Sequence, residues 1–422
     1  FPISDVLATH NTIKEGGYLR DKEQLDTIDF DCKHEDGSEE AADYEEELLG
    51  ALQPHGNLKE LSLDGYQGVR MPRWAIEDNL TSFFPKLVRF ELFGCSELEC
   101  LPSLRKLQNL KYLYVSDLAK LEYLETPPET ISEHSEASGE GLQFFPSLEE
   151  LMLCYLRKLK AWWSRSGERM GGDDSITRQQ PYQLSFVFSQ LTFLKISSCC
   201  NLTSFPHCPT VETLDLSDFN ERLRITSNPT SSLKLRKVRI DNMSWLQSSL
   251  STESFQFLTD LTLDNDKELK CLGDYRRVFQ ACSSSLRKLE ISECSKLRSV
   301  SGGLVYLTAL ERLHLLWLPK WNLGDEWIEK DVQCDGMPWG SLCHTLLDLF
   351  ISGCKELQTF PKWMRKLTSL QQLDVDNCSN ELYERCQSQN GEDWPNIQNI
   401  RHIKFNYMIL IKFTDLLWIK FY

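Results

Sequence analysis

The sequence predicts an α/β fold, a solenoid in which short parallel strands line a curved inner sheet while irregular or short helical segments form the outer side. Three observations predict it. Leu346, Leu349, Ile351 and Cys354 stand at offsets 0, 3, 5 and 8, and Leu370, Leu373, Val375 and Cys378 repeat those offsets 24 residues later. Leu357, Phe360 and Leu367 add a second apolar ladder between the two copies. The same template then recurs along almost the whole chain, the L-x-x-L-x-L-x-x-C pattern of a leucine-rich repeat. Each such unit has one strand whose apolar side chains point inward, cannot bury them alone, and must stack on its neighbours to form a continuous core.

In chain order the template places strand starts at Leu25, Leu58, Leu87, Leu110, Leu148, Leu191, Val211, Leu235, Leu258, Leu286, Leu310, Leu346, Leu370 and Ile400. That makes about 14 units with a mean step of about 29 residues, within the range of this repeat class. Because a repeat array grows without splitting its core, the 422 residues are read as one repeat domain over 25–404. Residues 1–24 read as an incomplete N-terminal repeat or a junction to an upstream module, and residues 405–422 as an apolar tail. Phe1 stands where a Met would begin an open reading frame and no signal segment follows, so the chain reads as a fragment or processed piece.

From Asp5 to Arg20 the apolar spacing permits a short helix. Between Glu23 and Glu47 twelve acidic residues face the single basic Lys33, so this segment carries −11 of the chain's net −16. We read the run as a solvated loop of the first repeat. Three repeat steps are long, and the polar, turn-rich stretches Thr126–Gly141 and Ser164–Gln183 read as protruding loops. The third carries Trp321, Trp327, Ile328 and Trp339, too apolar for water, and is expected to pack back on the repeats. The tail from Asn406 is interrupted by Lys412, Asp415 and Lys420 and is too short for a membrane span, so it reads as a cover over the last repeat.

Cys95, Cys199, Cys294, Cys354 and Cys378 all occupy the ninth repeat position, where a thiol serves as a small buried hydrophobe. With 15 cysteines, an odd number, and no C-x-x-C pair, a reduced, cytoplasmic protein is expected. The sequons at Asn79, Asn201, Asn242 and Asn377 are short enough to arise by chance. No G-x-x-x-x-G-K-[ST], H-E-x-x-H or G-x-S-x-G occurs. The closest approach to a metal group is Cys199, Cys200, His207 and Cys208, which reads as core and loop packing. No catalytic residue, cofactor or metal site is predicted, and the acidic balance carries no nucleic-acid footprint.

What remains is a surface. Leucines at offsets 3 and 5 point into the core, so the residue at offset 4 faces the open side of the sheet. The partner-binding candidates on this reading are Tyr114, Met152, Lys195, Asp215, Arg239, Glu290, His314, Phe350 and Asp374. Their mixture of charge signs and aromatics suits a protein ligand.

Two runs are more specific than the generic repeat. One is Leu52-Gln53-Pro54-His55 with Asn57-Leu58-Lys59-Glu60-Leu61, then Tyr66, Gly68, Pro72 and Trp74; the other runs from Cys378 through Leu382-Tyr383-Glu384-Arg385-Cys386 to Gly391-Glu392-Asp393-Trp394-Pro395-Asn396-Ile397. Over about residues 1–404 the chain resembles the leucine-rich repeat region of plant intracellular immune receptors of the coiled-coil, nucleotide-binding type. The resemblance implies a domain that senses a pathogen effector or a host protein, with first repeats that hold an upstream nucleotide-binding module inhibited. Alternatives are a free-standing repeat scaffold or ubiquitin-ligase adaptor, and an extracellular repeat receptor, whose strict 24-residue spacing and Gly-x-Ile-Pro motif are missing here.

Overall fold

The computed structural model describes residues 19–32, 39–75, 79–102, 104, 107–125, 145–163, 188–205, 207–224, 232–323, 339–387 and 390–406. The chain divides into two compact units, Phe1–Ile240 with Trp245–Gln256, and Asp241–Ser244 with Phe257–Tyr422. The expected helix near Asp5, the two polar insertions, Trp327, Ile328 and the tail beyond Asn406 lie outside the described residues.

The main sheet of the first unit contains β1 (Thr27–Asp31), β2 (Glu60–Asp64), β3 (Arg89–Phe93), β4 (Tyr112–Ser116), β6 (Glu150–Cys154), β8 (Phe193–Ser197), β9 (Thr213–Ser217) and β10 (Lys237–Ile240). Each pairs in parallel with the next. Two short strands, β5 (Tyr123–Glu125) and β7 (Ala161–Trp163), pair in parallel in a separate sheet that the repeat template does not contain. The second unit holds β11 (Asp260–Asp264), β12 (Lys288–Ser292), β13 (Arg312–Leu316), β14 (Asp348–Ser352), β15 (Gln372–Asp376) and β16 (His402–Asn406), again parallel in sequence order. This is a leucine-rich repeat fold. Every one of the fourteen starts read from the sequence stands two residues before one of these strands. The last strand reaches Asn406, two residues past the expected end of the repeats.

The reason is visible in the burial. Offsets 3 and 5, such as Leu194 and Ile196 or Leu313 and Leu315, are fully buried, while offsets 2, 4 and 6 alternate with them on the other face. Each lost Leu methyl group in such a core costs about 1 kcal/mol. Two backbone devices then fix the stacking. The carbonyl at offset 1 accepts two N–H groups of the next repeat, as Val88 O does from Lys111 and Tyr112 at 2.8 and 3.1 Å. At offset 7 the chain enters the left-handed region, with φ between 48 and 77 degrees at eleven positions that include Gly65, Tyr155, Asn265, Trp317 and Gly353. That turn lets the N–H of offset 7 reach the strand-end carbonyl of the next repeat, as Trp317 N does to Ser352 O at 2.7 Å. It also drives offset 8 inward. There Cys95, Cys199, Cys294, Cys354 and Cys378 are buried, and each Sγ lies 3.4 or 3.5 Å from the carbonyl two residues earlier. Burial pushes the thiols of Cys199, Cys294 and Cys354 up to about 12.

The acidic run departs from the sequence reading. Instead of a solvated loop, its second half is a helix, α1 (Glu39–Ala51). Glu, Ala and Leu are strong helix formers, and the helix gains from burying Leu48 and Leu49, with Leu52 buried just past its end. Glu45, read as part of the solvated run, is 1% exposed, and its Oε2 accepts the Gln67 N–H at 3.0 Å. The N-terminal motif is therefore a fastening. Trp74 Nε1 donates to Leu49 O at 2.8 Å, Tyr66 is fully buried with its hydroxyl donating to Arg70 O at 2.7 Å, and Trp74 meets Phe84 edge-on. Gly68 is required because a Cβ there would sit 2.1 Å from the Tyr66 hydroxyl.

The C-terminal motif works the same way around a buried carboxylate. Arg385 donates through Nε and Nη2 to the two oxygens of Asp393, both at 3.0 Å, and Asp393 Oδ2 also accepts the Phe360 N–H at 3.0 Å. Asn396 closes the joint, donating to Phe360 O at 2.6 Å and accepting from Arg365 Nε at 2.9 Å. In the third long step Trp321 and Trp339 are fully buried, as their apolar character required.

Candidate protein-binding face

Since strand side chains alternate, the free face of each unit is made of the residues at offsets 2, 4 and 6. In the first unit the offset-4 row runs in register Asp29, Ser62, Glu91, Tyr114, Met152, Lys195, Asp215, Arg239. In the second unit it runs Thr262, Glu290, His314, Phe350, Asp374, Lys404. All nine sequence candidates thus occupy these two rows, five in the first and four in the second, and each is half-buried or exposed.

The rows are held by their own contacts. Arg89 stacks its guanidinium 4.4 Å from the Tyr112 ring centre and 5.3 Å from that of Tyr114, and pairs with Glu91 at 3.1 Å. Tyr114 donates its hydroxyl to Glu150 Oε2 at 2.6 Å, and burial together with that bond raises its pKa above the ordinary value. Lys195 pairs with Asp215 at 3.1 Å. In the second unit, His314 stands between two carboxylates, Nδ1 3.5 Å from Glu290 and Nε2 3.6 Å from Asp348, with its ring edge-on to Phe350 at 5.8 Å. His314, and then Lys288 at 2.9 Å, hold Glu290 down to about 2 against the opposing effect of burial.

Reading offset 4 alone misses two of the three rows of this face. Arg89, Tyr112, Glu150, Phe193 and Asp348 stand at offset 2, and the same period of two would have found them. Tyr155 and Trp317, 52% and 50% exposed at the left-handed offset-7 position, carry no comparable signal. The Cys199, Cys200, His207 and Cys208 group is split, with Cys199 and Cys208 buried and Cys200 exposed. Among the described residues no group of three or more His, Cys, Asp or Glu side chains could hold a metal ion. No helix among them is long and apolar enough to cross a membrane.

Residues 6–118 match a family model described as R13L1/DRL21 leucine-rich repeats. The putative disease resistance protein RGA1 of Solanum bulbocastanum is 31% identical over 142 residues, 33% of this chain and 12% of that protein. RGA4 of the same species, also a putative disease resistance protein, is 28% identical over 227 residues, 54% of this chain and 20% of that protein. Over these stretches the chain is similar to leucine-rich repeats of that family and to plant disease resistance proteins. Each alignment covers a fifth or less of the relative's length. Among solved structures, the Toll–Spätzle complex of Drosophila aligns over 86% of this chain and 45% of that chain, at 17% identity and a TM-score of 0.38. The two specific sequence runs have a physical meaning in the fold: Tyr66, Gly68, Trp74, Asp393 and Asn396 fasten neighbouring repeats.

Proposed function

We propose that this region is the sensor of a cytoplasmic plant immune receptor. Its free face binds a protein, either a pathogen effector or a host protein that the effector alters, and its first repeats restrain a nucleotide-binding module of the full-length receptor. The observation that supports this reading most is the free face itself. Tyr, Arg, Phe and Met side chains stand half-exposed on a rigid ladder, the residue types and the rigidity from which interface hot spots are made. For a ligand to switch the receptor, it must contact this face differently in the resting and active states.

The test uses the full-length receptor expressed in leaf tissue. Reversing two half-buried row charges, Lys195→Glu with Asp374→Lys, is expected to abolish the cell-death response to the matching pathogen at unchanged protein level. Glu46→Lys with Glu47→Lys on α1 is expected to give a response without pathogen. Glu45 is left in place because it is interior. A pathogen response that survives the row reversal refutes the sensing part; a silent α1 variant refutes the restraint. Constitutive binding of one partner, with no dependence on infection, would favour a scaffold or adaptor.

A further inference from the structure

The free face of the first unit is polar in the electrical sense, with an aromatic seam between its two ends. On β1 to β6 the carboxylates of Asp29, Asp31, Glu60, Asp64, Glu91 and Glu150 stand on this face with Arg89 as the lone cation. On β8 to β10 the balance reverses: Lys195, Lys237 and Arg239 stand there with Asp215 as the lone anion, and Lys237 and Arg239 are exposed. Where the two ends meet, pairing registers set Phe93, Tyr112, Tyr114, Met152 and Phe193 on the neighbouring strands β3, β4, β6 and β8, all half-buried. Arg89, Glu150 and Tyr114 lock one another through the stacking and the hydroxyl bond already described, so the seam is ordered before any partner arrives. Preorganised aromatic groups lose little entropy on binding.

We infer that this face takes a protein segment laid across the strands with a basic end over β1 to β6, an acidic end over β8 to β10 and apolar side chains on the seam. The inference rests on the sensing function proposed above and adds the orientation and chemistry of the bound segment. Charge complementarity sets the direction, because the reversed placement would bring like charges together at both ends. Eight strands about 4.8 Å apart span about 34 Å, the reach of roughly ten or eleven extended residues.

The experiment uses the full 422-residue chain and two synthetic peptides of identical composition. One has four lysines, a Leu-Trp-Leu centre and four glutamates in separate blocks; the other alternates Lys and Glu around the same centre. The block peptide is expected to bind at least tenfold more tightly. Lys237→Glu with Arg239→Glu, both on the exposed rim, should remove that advantage, and Tyr114→Ala should weaken both peptides while the chain stays folded at the assay temperature. Carbodiimide cross-links should join peptide lysines to Glu60 or Glu91 and peptide glutamates to Lys195 or Lys237. Equal affinity, absence of binding by both peptides, or cross-links in the opposite sense overturns the inference. If it is overturned while the row reversal still silences the receptor in leaves, the sensing function stands and only the polarity is wrong.

Discussion

Replacing Asp393 by alanine removes the carboxylate on which the last two repeats converge. Its two oxygens accept from both Nε and Nη2 of Arg385, and Oδ2 also accepts the buried Phe360 N–H, all at 3.0 Å. The Asp393 side chain is 6% exposed and that of Arg385 29%, so solvent screens the pair weakly on the Asp side. Removing the carboxylate costs about 2 to 4 kcal/mol, because the Phe360 amide and the Nε and Nη2 groups of Arg385 lose their acceptors while Nη1 keeps Glu392 at 2.7 Å. Asp393→Asn keeps one acceptor for Phe360 and loses the charge, so a smaller loss of about 1 to 3 kcal/mol is expected. The assay is urea unfolding of the full chain, read together with hydrogen exchange at the Phe360 amide. A repeat array can open from one end, so the amide should lose protection before the global midpoint falls. An Ala variant with the wild-type midpoint and undiminished protection at Phe360 would show that the carboxylate carries no such joint.

Three further outcomes are expected. Gly353→Ala should destabilise by at least about 1 kcal/mol, since Gly353 has φ +69 and its added Cβ would lie 2.4 Å from the Trp317 ring; adding Trp317→Ala should recover the steric part and leave the backbone part. Glu290 is held at about 2 in the fold, well below the ordinary glutamate value of 4.5. Its depressed pKa stabilises fully above about pH 4.5 and is lost as pH falls toward 2, a term of at most about 3 kcal/mol; urea midpoints of wild type and Glu290→Gln should therefore converge at the acid end. Alkylation at pH 8 should label the exposed Cys100 and Cys200 and spare Cys199, Cys294 and Cys354, whose thiols burial keeps protonated; early labelling of Cys199 by peptide mapping would mean that its repeat is not packed as described.

The strands were legible because their signal is local: Leu at offsets 0, 3 and 5 is a period any window contains, and it placed β1 through β16 of the main rows even across the long steps before Leu148 and Leu191. The offset-4 row followed from the alternation of side chains alone. The helix of the acidic run was not legible in that way, because what makes Glu45 an interior residue is Gln67, twenty-two positions away. Nor could β5 and β7, whose partners lie in different repeats, be read from either repeat.

The sequence by itself thus determined the repeat, the positions of its strands and which side chains leave the core, all set by spacing within one unit. The tertiary structure alone decided which of those side chains become neighbours. Repeats of unequal length still pair in register, so Arg89 meets Tyr112, and Tyr114 meets Glu150 across 36 residues. It also decided which charges go inside: Glu45, Asp266 and Asp393 are buried because a backbone N–H from another segment, Gln67, Met243 or Phe360, waits for each of them. A carboxylate looks the same in the sequence whether water or such an N–H satisfies it, and only the stacking of repeats supplies the difference.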